Sequence, residues 1–80
     1  MTGNGTPNEA DLFQEWRTAD RAASAAEKVF MTDSMLAIDG KGAFPSDEER
    51  GRVRRMRALA NDLFHLAMIE MQKRAAAARH

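Results

Sequence analysis

Proline occurs at positions 7 and 45 only, and each opens a long segment rich in Ala, Leu, Met, Glu and Arg. The stretch "TPNE" sets Thr6 as a helix N-cap, Pro7 at the first helical position and Glu9 at the third. The stretch "SDEE" repeats the signature, with Ser46 capping and Glu49 reaching back. Both motifs supply partners to backbone N–H groups that a helix start leaves unpaired. Between the two segments, "DGKGAFP" (39–45) places Gly40 as a left-handed helix stop. This punctuation predicts a helix near 7–39, a turn at 40–45 and a helix near 47–78, with residues 1–5 disordered ahead of a hairpin over 6–80. Each helix would run about 48 Å at about 1.5 Å per residue. Two matched helices on a short link make an all-α antiparallel hairpin.

Eighty residues make one small domain, and a chain this short rarely builds a sufficient core alone. Cysteine is absent, which removes disulfides, thiolate metal ligands and redox chemistry, and leaves oligomerisation as the main reinforcement. The N-terminus "MTGNGTPNEA" lacks a basic and apolar leader, and no stretch approaches the ~20 apolar residues of a membrane span. The expectation is therefore a cytoplasmic protein without a membrane partner. The formal net charge of zero exerts no global pull toward nucleic acid.

Periodicity supplies the core. On the first helix Leu12, Trp16, Ala19, Ala23, Ala26, Phe30 and Ala37 recur at spacings of four and three, with Asp33 in the remaining slot. On the second, Val53, Met56, Ala60, Leu63 and Ala67 do the same, and Glu70 and Arg74 continue the register; Leu59, Phe64, Leu66 and Met71 flank that seam. The apolar sector of the second helix spans roughly 200°, more than one partner helix covers. The surplus predicts a homodimer closing into a four-helix bundle with coiled-coil-like packing. Alanines at 19, 23, 26, 60 and 67 let helices approach closely, while Leu and Phe layers fill the space between.

This alternation of small and large residues on a capped two-helix hairpin resembles the Rop-like hairpins, a fold that serves unrelated functions and includes a dimeric RNA-binding regulator of plasmid copy number. The likeness covers topology and the core pattern of residues 53–67, and it implies a Rop-like four-helix bundle rather than an activity. That regulator reads RNA mainly with its first helices. Here residues 6–39 hold seven acids against three bases, a net of −4, so no RNA-contacting residue carries over.

The densest positive run, "RVRRMR" (52–57), lies in the second half, where residues 46–80 hold eight bases against five acids. The chain is thus two oppositely charged halves folded onto each other. If the hairpin turns near 42–43, opposed residue numbers total about 85. Arg52 then faces Asp33, Arg57 lies near Glu27, Arg74 near Asp11, and His65 near Asp20. Such edge pairs set register more than they stabilise, at about 0–1 kcal/mol each when exposed. Arg50, Arg54 and Arg57 also share one flank at i, i+4, i+7, extended by Asn61, and form the candidate contact for a protein partner or for nucleic acid. No aromatic is interleaved with these arginines to stack on bases, so RNA binding is the alternative reading rather than the leading one.

Other residues carry weaker signals. Asp62 and His65 have the i, i+3 spacing of carboxylate-bridged metal bundles, but they project from the polar side, whereas bundle metals sit inside. His80 is terminal. Glu70 falls on the seam, where Arg17 or a symmetry mate would neutralise it. Phe13 and Trp16 read as core. Met31, Met35 and Met68 lie at the edges of apolar sectors and suit an adaptable docking surface. Phe44, in the turn, either caps the bundle end or anchors a partner. Gly40 and Gly42 only flank Lys41 in a turn and form no phosphate loop, and the Ser, His and Asp residues form no nucleophile arrangement. The sequence therefore points away from an enzyme and from a bound cofactor. It points to a small helical protein that acts by pairing with itself and with another protein.

Overall fold

The computed structural model describes residues 9–78. It is all-helical, with two helices packed against each other as a hairpin: α1 over Glu9–Ile38 and α2 over Asp47–Ala78. At the turn, α1 stops within one residue of the expected 39 and α2 starts at the expected 47. The Thr6–Pro7 cap, the segment 1–5 and His80 lie outside the described residues.

The chemistry of the turn fixes where each helix stops and starts. Gly40 adopts φ 75°, a left-handed conformation that costs glycine nothing for want of a Cβ. That conformation swings the Gly40 N–H onto the Ala37 carbonyl at 3.0 Å and the Lys41 N–H onto the Leu36 carbonyl at 2.8 Å. These are the two reversed hydrogen bonds that close a helix end by satisfying its last carbonyls. At the other side the Glu49 N–H donates to Ser46 Oγ at 3.1 Å, and the Ser46 N–H donates back to Glu49 Oε1 at 3.3 Å. The reciprocal cap is the one the sequence predicts, reinforced by Asp47, Glu48 and Glu49 beside the positive end of the helix dipole. Pro45, read from the sequence only as punctuation, is also buried at the closed end of the hairpin, while its neighbour Phe44 is 63% exposed.

The seam between the helices is narrow. Its buried residues are Leu12, Ala23 and Ala37 on α1 with Ala60 and Ala67 on α2, and Ala23, Ala60 and Ala67 have no exposed surface. Trp16, Ala19, Ala26, Phe30, Val53, Met56 and Leu63 are half-buried around them. At the open end Trp16 packs tilted on Phe64, with ring centroids 5.2 Å apart, and Phe13 meets Trp16 edge-on at 6.4 Å. Among the described residues no large side chain is completely buried.

Arg57 meets Glu27, as the expected register has it, but two other pairs differ from that register. Trp16 meets Phe64, where numbers totalling about 85 would set it level with Ile69. Asp20 is bonded to Arg57 rather than to His65.

Candidate interaction face

The hairpin has two flanks of opposite character. On the first, Asp20, Ser24 and Glu27 stand at i, i+4, i+7 along α1, so they form one row facing Arg57 of α2. Arg57 grips Glu27 with both prongs of its guanidinium, Nε to Oε2 at 2.9 Å and Nη2 to Oε1 at 2.7 Å. Its Nη1 donates to Asp20 Oδ1 at 2.8 Å, and Nη2 also reaches Ser24 Oγ at 3.1 Å. A forked pair of this kind is geometrically exacting, so it fixes how the helices lie side by side. The hydrogen bonds from Arg57 hold the Glu27 carboxyl below the ordinary carboxylate value against the opposing effect of desolvation, and the nearby positive charge adds to the depression. The same partners push the Arg57 guanidinium further up from its already high value.

This clasp changes the meaning of the arginine ridge. Arg57 is consumed by α1, and Arg50 is tied to Asp47 at 3.1 Å one turn back on its own helix. Arg54 and Asn61 remain exposed on the same line. Of the three ridge arginines only Arg54 is left without an acidic partner among the described residues. The neighbouring Arg52 does not pair with Asp33; its Nη1 lies 3.7 Å from Met56 Sδ. Glu70 is met by Lys73 on its own helix at 3.5 Å, not by Arg17.

The second flank is apolar. Leu59 and Leu63 of α2 and Ala19, Ala22, Thr18, Glu15 and Gln14 of α1 line an open groove of about 380 Å³. Along α1 the row continues from Ala22 through Ala25, Val29 and Leu36 at spacings of three, four and seven; Val29 is 60% exposed. Along α2, Leu66 continues it and is 50% exposed, as Leu59 is 55%. Of the residues expected in a dimer core, Leu59, Phe64, Leu66 and Met71 are thus exposed in the single hairpin, while the others are buried or half-buried.

Further apolar groups stand on the charged flank toward the turn. Met31 and Ile38 follow Ser24 and Glu27 along the same side of α1 and, like Met35 and Phe44, are exposed; Met68 is half-buried. His65, with Phe64, Met68, Ile69 and Gln72, borders a separate hollow of about 300 Å³ on α2. Asp62 and His65 belong to no cluster able to hold a metal ion among the described residues, and no helix there is long and apolar enough to cross a membrane.

Sequence reasoning set Arg57 beside Glu27 but missed that it also holds Asp20 and Ser24. The signal was present as the i, i+4, i+7 row of Asp20, Ser24 and Glu27, which marks a flank facing one cation. No protein-family model, curated protein or solved structure matches this chain.

Proposed function

We propose that the protein is a non-enzymatic helical hairpin that pairs with a second copy into a Rop-like four-helix bundle and acts by binding another protein. One observation carries the reading: the seam buries mainly alanine, while Val29, Leu36, Leu59, Leu66 and other large apolar side chains stay exposed. An isolated hairpin gains too little from that seam to offset the ordering of two long helices, which costs about 1–2 kcal/mol per residue for the backbone alone. A second hairpin on the apolar flank removes the exposed leucines from water. The partner-binding role falls to Met31, Met35, Ile38 and Phe44, which lie toward the turn, away from the groove. Methionine suits an adaptable docking surface because it is flexible and polarisable.

RNA binding through Arg50, Arg54 and Arg57 has less to support it, since two of the three already hold carboxylates. Sedimentation equilibrium across micromolar concentrations tests the core of the proposal. A species of twice the chain mass is expected, and a folded monomer throughout the range would refute it.

A further inference from the structure

We infer that the second copy docks antiparallel along α2, on the row Arg52, Met56, Leu59, Leu63, Leu66 and Glu70, with each Arg52 on the Glu70 of the other copy. This rests on the self-association proposed above and adds its direction and its specificity.

The row is spaced four, three, four, three and four residues, which reads the same from either end and has its midpoint at position 61. It is apolar between two ends of opposite charge. In a two-fold contact, residue i meets j and j meets i, so a seam of this kind is complementary to its own reversed copy. With the copies antiparallel about position 61, Leu59 meets Leu63, Met56 meets Leu66, and Arg52 meets Glu70 at both ends. With the copies parallel, Arg52 faces Arg52 and Glu70 faces Glu70, and like charges at a helix seam oppose pairing.

The single hairpin leaves both ends available. Among the described residues the one polar partner of Arg52 is the Met56 sulfur, which lays its guanidinium along the row itself. Glu70 holds only Lys73, at 3.5 Å on its own helix. The groove beside Leu59 and Leu63 brackets the midpoint, and Thr18 and Ala22 form its far wall. Their small side chains leave room there for the leucines of the incoming copy.

The full chain has no cysteine, so Asn61→Cys and Gln72→Cys each provide one thiol for a spin label on the exposed side of α2. In the antiparallel dimer the labels at 72 are offset along the axis by about 33 Å, at 1.5 Å per residue, while those at 61 are level. A longer separation at 72 than at 61 is expected. Equal separations would overturn the antiparallel seam and leave self-association standing, whereas absence of any coupling at both sites would overturn the two together. The charge arrangement is tested separately. Arg52→Glu should raise the dissociation constant about tenfold or more, by setting one carboxylate against the Glu70 carboxylate at both ends. Adding Glu70→Arg to that variant should restore it. A folded double variant as weak as the single one would refute the cross-pairing.

Discussion

The seam inside the hairpin and the apolar flank beside it divide the work of folding unevenly. The seam is tightly closed, with Ala23, Ala60 and Ala67 free of solvent, yet each of these buries little more than one methyl group, worth about 0.8 kcal/mol. The flank is open, yet it carries Leu59, Leu66, Val29 and Leu36, and each is worth about 1.5–3 kcal/mol when fully covered. The seam therefore sets how close and in what register the helices lie. The flank still has apolar surface able to stabilise them once covered. In this chain geometry and driving force sit on different sides of the same helices, so the hairpin and its assembly form one folding problem.

The sharpest way to break the contrast is to remove the bulk on the flank. Leu59→Ala combined with Leu66→Ala should cost about 2–5 kcal/mol for each site if a second copy covers them. In a lone hairpin these half-exposed side chains would cost far less. Denaturant unfolding at several protein concentrations measures the difference, and a small cost that does not vary with concentration would locate the driving force elsewhere.

The complementary change adds bulk to the seam. Ala60 has no exposed surface, so Ala60→Leu must push the helices apart or take an unfavourable rotamer, at about 1–3 kcal/mol. A fall in melting temperature read by circular dichroism is expected. An unchanged melting temperature would mean that the helices tolerate a wider spacing and that the seam does not set it.

The same division explains which features could be read from the sequence. Helix ends are local: Ser46, Glu49 and Gly40 act through backbone groups within a few residues, and each does what its position implied. Core periodicity is also local, and Leu12, Ala23, Ala37, Ala60 and Ala67 all come from the expected stripes. Pairing across the hairpin depends on how far each long side chain reaches along the facing helix, which no periodicity contains. Arg57 found the expected Glu27 but also reached Asp20, while Asp33 was left without Arg52. The candidate site was legible as far as the surplus width of the apolar sector on α2. The fate of the arginine ridge was not, because it turned on which acids Arg50 and Arg57 reach.

A milder change calibrates both regions without touching the buried residues of either. Gly51 lies within the second turn of α2, where glycine costs about 0.5–1 kcal/mol relative to alanine. A Cβ there would meet only the far end of Arg55, with Nη1 at 3.2 Å, a flexible group able to swing aside. Gly51→Ala should therefore raise stability by about that amount without altering self-association, measured by denaturant midpoint and sedimentation together. A loss of stability would show that the Arg55 guanidinium is held in place.

The smallest effect is expected at the clasp, and there the sign matters more than the size. Glu27 and Arg57 are partly open to solvent, with side chains 42% and 31% exposed, so salt and water screen their attraction. The hydrogen bonds from Arg57 lower the carboxyl of Glu27 from the ordinary 4.5 in the folded chain, so on acidification the unfolded chain takes up this proton first. The contribution of Glu27 is therefore fully present above 4.5 and is lost as pH falls through the lower folded value. Glu27→Gln should narrow the stability gap between neutral and acidic solution, and added salt should shrink the difference between the two proteins at neutral pH. If the variant instead loses the same stability on both sides of that range, Glu27 acts through packing and the clasp does not hold the register by charge.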